Sequence, residues 1–200
     1  MVVYPLATPG DIEVRLGTGI VDPDRVDALL DDASAVVRGY TGQTLSRVED
    51  DVAVLRVQRG RFKLPQRPAD TPTAISVVYP SAQVLVTGGW TFDGIDEVRL
   101  GAPTWAANGP DYCTSIGTVR VTYSHGYTEI PGDIVAIVCQ MVLRVLGSVA
   151  TSPGLRSESI DDYRYDLGGG LTSGTVALVP EEKTTLDRYR RRSSGVALRA

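Results

Sequence analysis

The fold of this chain is decided by one apolar stretch, Ile130-Pro131-Gly132-Asp133-Ile134-Val135-Ala136-Ile137-Val138-Cys139-Gln140-Met141-Val142-Leu143-Arg144-Val145-Leu146. Asp133 is a favourable N-cap, and Pro131 before it ends the preceding strand. A helix that is apolar almost all round is either buried on most faces or inserted in a membrane. Because Gln140 and Arg144 interrupt the run and β-branched residues replace a Leu block, burial is favoured. We therefore predict a central helix covered by the rest of the protein or by copies of itself.

Two further helices are predicted before this stretch and one after it. Thr8-Pro9-Gly10-Asp11 and Asp22-Pro23 both place a capping residue before a proline, which is a helix start. The second helix has apolar residues at helical spacing, and its outer face carries Asp24, Asp27 and Asp31. Pro180-Glu181-Glu182 opens a last short helix that runs to Tyr189.

Between the helices the pattern changes to alternating residues typical of strands. The segments with this pattern are 52–57, 62–65, 74–79, 83–87, 97–100 and 118–123, separated by turn residues. A long exposed loop is expected near residues 101–111, where Pro, Gly and Asn cluster. We interpret residues 45–127 as a small antiparallel β unit inserted between helices.

The predicted fold class is α+β, with a mainly helical core of about four helices around the central apolar helix, an inserted small antiparallel β unit and an extended C-terminal arm. Its domains are a helical core made of residues 1–44 and 128–200 and an inserted antiparallel β unit at 45–127. With 200 residues and 42% hydrophobic residues, such a core is large enough to be stable. Residues 155–165 form an extended C-terminal arm of alternating character, followed by a flexible joint at Gly168-Gly169-Gly170.

The residue types that carry catalysis are sparse. The chain has one histidine, His125, and no Gly-x-Ser-x-Gly elbow, so a turn residue is favoured over a catalytic base. One histidine with Cys113 and Cys139 cannot supply a structural zinc site, and no lysine follows a glycine-rich loop. The acidic stretch around Asp161 lacks the spacing of a calcium loop. We therefore expect no enzyme activity, no catalytic residues, no metal and no cofactor.

Charge is unevenly distributed along the chain. Residues 1–51 carry a net charge of −6, and residues 180–200 carry +3. The basic cluster Arg190-Arg191-Arg192 has three interpretations: a solubilising tail, a contact to nucleic-acid phosphates, or docking on an acidic protein surface. The chain begins without the basic start and apolar run of a signal peptide, and a reducing cytosol is the expected compartment.

The order of several short motifs resembles that of a known family. These motifs are Leu6-Ala7-Thr8-Pro9-Gly10-Asp11-Ile12-Glu13-Val14-Arg15-Leu16-Gly17, Val37-Arg38-Gly39-Tyr40-Thr41-Gly42, Tyr123-Ser124-His125-Gly126-Tyr127 with Ile130-Pro131-Gly132-Asp133-Ile134, Ser157-Glu158-Ser159-Ile160-Asp161-Asp162-Tyr163, and Leu186-Asp187-Arg188-Tyr189-Arg190-Arg191. Together they resemble the head–tail connector (head-completion or adaptor) proteins of phages with long, non-contractile tails, particularly those of actinobacterial hosts. The resemblance covers residues 6–42 and 123–192 and leaves the β unit unexplained.

The resemblance implies a structural virion protein in the neck, at the portal vertex, assembled in the host cytoplasm. It implies a ring, usually of twelve copies, that extends the DNA channel below the portal protein and carries a head–tail stopper or tail terminator protein. Packaged DNA would pass through the lumen non-specifically, and no membrane is involved. The implied residues are Arg188, Tyr189, Arg190, Arg191 and Arg192 for the portal, Ile160, Tyr163 and Tyr165 for a subunit-interface arm, and Asp24, Asp27 and Asp31 as candidate channel-facing acids.

A second hypothesis belongs to a different class of function. The chain could be a soluble binding module that uses its β unit to hold a protein or a carbohydrate. Its candidate exposed aromatic residues are Trp90, Trp105 and Tyr112. Packing at strand ends and in loops is the alternative role for the tryptophans.

Overall fold

The protein is described by a computed structural model that covers residues 4–17, 19–20, 22–78, 83–86, 88–101, 117–149, 157–160, 163–166 and 175–190. The chain forms two compact units. The helical unit comprises Met1–Thr41 and Ile130–Tyr189, and the β unit is built on Gly42–Glu129. The domain boundaries predicted from the sequence lie after residues 44 and 127. Whether the two parts fold independently at these boundaries stays a prediction.

Two N-terminal helices open the helical unit, and both begin where the sequence predicts. Helix α1 (Pro9–Leu16) starts at a capping box, in which Thr8 Oγ1 accepts from the Asp11 amide at 3.3 Å and Asp11 Oδ2 accepts from the Thr8 amide at 2.8 Å. Helix α2 (Pro23–Thr41) is capped by Asp22, whose Oδ1 accepts from the amide of the third helical residue at 3.2 Å. These bonds satisfy N–H groups that have no partner within a helix.

The predicted central helix is α3 (Gly132–Val149), and it forms the core of the helical unit. It packs against α2 and α1, and Gln140 is exposed. Burying an aliphatic side chain of this size contributes about 1.5–3 kcal/mol to folding, so this helix is a major source of stability. The residues of α3 that are at most 5% exposed are Ile134, Ile137, Val138, Cys139, Met141, Val142 and Val145.

The C-terminal segment of the helical unit is held to α3 by an ion pair. Helix α4 (Pro180–Leu186) continues as a 3-10 turn, Asp187–Tyr189, which confirms the predicted short helix. Arg144 donates from Nη1 and Nη2 to the two oxygens of Glu182, at 2.8 and 3.1 Å. Glu182 is only 5% exposed and also accepts from the Val179 amide at 3.0 Å. The buried Glu182 carboxylate is stable there because the Arg144 guanidinium and the Val179 amide both donate hydrogen bonds to it.

The β unit contains two antiparallel sheets. Four strands form one sheet in the order β1-β7-β3-β4, and three strands form the other in the order β2-β6-β5. The central strand β7 pairs with β1 on one side and with β3 on the other. The strands are β1 (Val48–Arg56), β2 (Arg61–Lys63), β3 (Ala74–Val78), β4 (Gln83–Leu85), β5 (Trp90–Phe92), β6 (Glu97–Leu100) and β7 (Thr118–His125).

One hydrophobic core lies beneath both sheets of the β unit. Alternation along the strands directs every second residue into this core, as expected for sheets with one face in solvent. Trp90 and Phe92 pack against its rim. The buried members are Leu55, Phe62, Leu64, Ile75, Val77, Val98, Val119, Val121 and Tyr123.

The prediction of a mainly helical core with a small β insertion is wrong. Among the described residues, the strands contain 43 residues and the four α-helices contain 52, and the β unit has a hydrophobic core of its own. Two of the four described α-helices, α1 and α4, have eight and seven residues. The error arose because the alternating segments were counted as an appendage, although their inward residues are numerous enough to build a second core.

The C-terminal arm was predicted as one extended segment, and this prediction is also corrected. Strands β8 (Ser157–Ile160) and β9 (Tyr163–Asp166) pair antiparallel, so the arm folds back on itself as a hairpin. Sequence alternation predicted extended backbone but gave no sign of the reversal. The expected loop at 101–111, beyond Gly101, and the joint at Gly168-Gly169-Gly170 lie outside the described residues.

The membrane alternative for the apolar helix was tested against helix length and hydropathy. None of the helices in the described ranges combines the length and the apolar character that crossing a bilayer requires.

A single change at Glu182 tests the ion pair. We expect Glu182→Gln to lower the free energy of unfolding by about 2–3 kcal/mol, because it removes the charge that neutralises Arg144 in a part-buried place. Urea unfolding followed by circular dichroism measures the loss. Glu181→Gln is the matched control, since Glu181 is exposed and its change should stay within about 0.5 kcal/mol. Equal effects of the two substitutions would contradict the assignment.

A second substitution tests the close backbone contact at Gly126, the residue that follows β7. Gly126 has φ +86°, and a Cβ atom there would lie 2.2 Å from the carbonyl oxygen of Ser46. We expect Gly126→Ala to cost at least about 2 kcal/mol in the free energy of unfolding. Gly117→Ala is the control, because a Cβ atom at Gly117 meets nothing within 4 Å. A Gly126→Ala protein as stable as this control would refute the close approach.

Candidate partner-binding surfaces

The first candidate surface is the C-terminal end of the helical unit, where Arg188 and Tyr189 contact Asp133. The Tyr189 hydroxyl donates to the Asp133 carboxylate at 2.9 Å, and Arg188 forms an ion pair with the same carboxylate. The Arg188 guanidinium also lies 5.0 Å from the centre of the Tyr189 ring. Nearby, the Tyr40 hydroxyl donates to Asp187 at 2.7 Å. The C-terminal turn is therefore fixed to α2 and to the start of α3.

These contacts change the interpretation of Asp133. Asp133 was predicted as the N-cap of α3, but the helix begins one residue earlier and the Asp133 carboxylate binds the C-terminal turn. In the first turn of α3 this carboxylate is also stabilised by the helix dipole. Sequence reasoning missed the contact because it joins residues 55 and 56 positions apart, and no local pattern reports such a pairing.

The five predicted portal-binding residues differ in what the structure shows of them. Arg188 and Tyr189 are engaged within their own chain, although the Arg188 side chain is still 60% exposed. Arg190 is the last described residue before the C-terminus and is exposed. Arg191 and Arg192 lie outside the described residues.

The second candidate surface is the outer face of α2. Asp24, Asp27 and Asp31 are all exposed and follow one another at intervals of three and four residues, so they share a face of the helix. Within the described part of the chain, none of the three forms an ion pair. The face therefore presents negative charge to solvent, which Arg38 offsets in part, because the charge of Asp31 favours the protonated form of the Arg38 guanidinium.

The third candidate is the hairpin that carries Ile160, Tyr163 and Tyr165. Its backbone register pairs Ile160 with Tyr163 and Glu158 with Tyr165. The three residues predicted for a subunit interface are therefore brought to neighbouring positions of one two-stranded ladder.

His125 is a buried residue at the end of β7 and not part of a turn as predicted. Its side chain is 1% exposed, and its Nε2 lies 3.1 Å from Asp51 Oδ2. Burial lowers the pKa of His125, and the hydrogen bond to Asp51 only partly offsets this effect. A substrate could not reach an imidazole in this position, so the arrangement supports packing and strand registration.

Of the three aromatic residues of the alternative binding hypothesis, the structure describes only Trp90. Trp90 is half-buried and packs against the core of the β unit, as the structural interpretation of the tryptophans expected. Trp105 and Tyr112 lie outside the described residues. Over the described ranges, no group of three His, Cys, Asp or Glu residues is placed to hold a metal ion.

Comparison with known proteins bears on the fold. No protein-family model matches the chain, and no curated protein matches it in sequence. One similar structure is a chain from the neck of an empty GTA particle, computed with C6 symmetry. It has a TM-score of 0.52 and 17% identity, over 97% of this chain and 94% of the other.

A second similar chain comes from the virion of a native gene transfer agent (GTA) particle. Its TM-score is 0.51 with 18% identity, over 96% of this chain and 91% of the other. Identities this low establish a likeness of fold, and that likeness extends over nearly the whole of each chain.

Proposed function

We propose that this protein is a structural neck protein of a phage-like particle, which joins the capsid to the next neck or tail protein. The observation that carries the proposal is the fold shared with a chain from the neck of an empty GTA particle, over nearly the full length of both chains. The family resemblance of residues 6–42 and 123–192 points to the same place in a virion. A long, non-contractile tail and an actinobacterial host are the finer form of the proposal.

The protein would act as a ring of identical copies. The neck with the similar chain was computed with C6 symmetry, which supports a copy number that is a multiple of six, and twelve copies satisfy it. The hairpin with Ile160, Tyr163 and Tyr165 would contact the adjacent copy. A ring of this kind would form part of the DNA channel below the portal and carry a stopper or tail terminator on its other side.

The C-terminal arginines would dock on the portal protein. The ion pair between Arg188 and Asp133, with the Tyr189 hydrogen bonds, fixes the point from which the following residues leave the helical unit. Arg188 and Tyr189 would therefore position the segment, and Arg190, Arg191 and Arg192 would meet acidic groups of the portal.

The acidic face of α2 would line the channel. Asp24, Asp27 and Asp31 are exposed and form no ion pair within the described ranges, so their charge would repel DNA phosphates. Repulsion suits a channel through which DNA must slide, because contacts that neutralise phosphates would hold it.

Reversing two tail charges tests the portal contact. We expect Arg190→Glu with Arg191→Glu to abolish binding to purified portal rings while circular dichroism shows that the fold is retained. Electron microscopy of the mixture with portal rings would show added density for the natural protein and none for the variant. Lys183→Glu with Arg59→Glu is the charge-matched control, since both residues are exposed and form no ion pair in the described part of the chain. Undiminished decoration of the portal by the tail variant would refute this contact.

Changing the acids of α2 tests the channel. We expect rings with Asp24→Lys, Asp27→Lys and Asp31→Lys to retain duplex DNA at low salt, and retention to fall steeply as salt rises. Glu13→Lys, Glu129→Lys and Glu181→Lys form a control of equal charge on exposed residues elsewhere. Gel-shift titration at several salt concentrations compares the two. If both variants hold DNA equally, the acids of α2 do not line the channel.

A further inference from the structure

His125 lies where the end of β7 meets two other segments of the β unit. In the sheet register it stands opposite Val48 at the start of β1, and an isolated bridge pairs it with Ala69, before β3. Three backbone hydrogen bonds surround this position, and together they are called the closure of the β unit. They run from the Asp70 amide to the Ser124 carbonyl (2.9 Å), from the Gly126 amide to Pro68 (2.8 Å) and from the Tyr127 amide to Leu45 (2.7 Å).

The two ring nitrogens of His125 have very different surroundings. Nε2 lies 3.1 Å from Asp51 Oδ2, and because an ionised carboxylate can only accept, the proton of the neutral ring is on Nε2. Nδ1 is buried and meets neither a donor nor an acceptor in the part of the chain that the structure describes. A proton added at Nδ1 would therefore make a buried N–H group without an acceptor, and such a group is costly.

The charged groups around His125 do not offset this cost. Burial is the largest influence on the imidazole and lowers the pKa of His125, while the hydrogen bond and the charge of Asp51 raise it only in part. The Asp51 side chain is 36% exposed, so water weakens its field. Arg47 opposes a second positive charge, although its ion pair with Asp70 reduces that effect. The charged or titratable residues on the segments that meet here are Arg47, Glu49, Asp50, Asp51, Arg67, Asp70, Tyr123 and Tyr127.

We propose that His125 is an acid-sensitive lock on the closure of the β unit, which holds while the ring is neutral and opens when the ring takes up a proton. In the closed form the added proton finds no acceptor at Nδ1. Once the closure opens, water solvates both ring nitrogens, so the open form binds the proton more tightly. Acidification therefore shifts the population from the closed to the open form. The inference does not depend on the proposed function.

The pH range of the effect follows from the two protonation equilibria of His125. In the open form the imidazole has its ordinary pKa of about 6.5, and in the closed form its pKa is lowered. The stability of the closed form is therefore fully present above about pH 6.5 and is lost as the pH falls toward the lowered value. One proton taken up on opening changes the opening equilibrium by at most about tenfold per pH unit.

Hydrogen exchange of the closure amides in the full chain tests the lock. NMR follows the Asp70 and Tyr127 amides between about pH 5.5 and about pH 7.5 in the natural protein and in His125→Phe, whose ring does not titrate. Neither amide is next to the substituted residue, so the ratio of the two rates at each pH cancels the intrinsic exchange chemistry. We expect this ratio to be constant above about pH 6.5 and to rise by about three- to tenfold per pH unit below it.

Two controls separate the lock from a general loss of stability. His125→Gln keeps an N–H donor for Asp51 but does not titrate, so it should give the same pH dependence as His125→Phe. The Leu100 amide, which donates to the Gly60 carbonyl at 2.8 Å, belongs to the three-stranded sheet of the same unit. Its rate ratio between the natural protein and either variant should not change with pH.

The imidazole itself gives a direct reading of the lock. The chain has one histidine, so its ring signals titrate alone in an NMR spectrum, and we expect their midpoint below about pH 6.5. Asp51→Asn removes the charge that favours the protonated ring and should lower the midpoint further. Three results would each overturn the proposal: a midpoint at or above the ordinary value, closure amides whose rate ratio to both His125 variants is constant with pH, or an equal change of the ratio at Leu100.

Discussion

The helical unit depends on the neutralisation of one arginine in an otherwise apolar helix. Arg144 lies on α3, whose other faces are filled by buried aliphatic residues, and its guanidinium is met by a carboxylate that is only 5% exposed. Removing either partner would leave a charge without compensation in a poorly hydrated place. Because Glu182 belongs to the C-terminal helix, this requirement ties the end of the chain to its centre. The hydrogen bond from the Tyr189 hydroxyl to the Asp133 carboxylate holds the C-terminal turn at the other end of the same helix.

The β unit is stabilised mainly by the burial of apolar side chains, and its buried carboxylate, Asp96, is paired with Lys63 and Arg67. Its core is aliphatic and aromatic and is shared by two sheets, and the chain enters and leaves through close backbone contacts near Gly126 and Leu45. The Gly126 amide donates to the Pro68 carbonyl at 2.8 Å, and the Tyr127 amide donates to the Leu45 carbonyl at 2.7 Å. These bonds close the unit where its two ends approach each other. A unit with its own core and closed ends can keep its shape through contacts among its own residues.

Local patterns in the sequence predicted the elements well, and contacts between distant residues accounted for the errors. The capping box at Thr8, the amphipathic α2 and most strands follow from spacing and turn residues alone. Strand β5 is as short as β2 and β4, and it was missed because Gly88 and Gly89 directly before it indicated a turn. Among the candidate site residues, the exposure of Asp24, Asp27 and Asp31 followed from helical periodicity. The contact of Arg188 and Tyr189 with Asp133 did not follow from any local pattern. It depends on how the C-terminal turn packs on the start of α3, and Arg188 lies 55 positions after Asp133.

The arginines separate into two groups once their partners are considered. Most of the described ones are engaged by a carboxylate or a backbone carbonyl, and they fix loops and helix ends; this group is Arg15, Arg38, Arg47, Arg61, Arg67, Arg99, Arg144 and Arg188. Arg25, Arg56 and Arg59 are exposed and form no described ion pair, but they lie in a first helical turn, at a strand end and in a turn, where water solvates them freely. Arg120 is different, because it lies in the middle of a sheet row with uncharged neighbours on both sides. Because Arg120 is exposed, water solvates its guanidinium, and a carboxylate that covered it would have to offset the desolvation of both charges. Its position therefore leaves Arg120 as a solvated charge in the row formed with Val54 and Ser76.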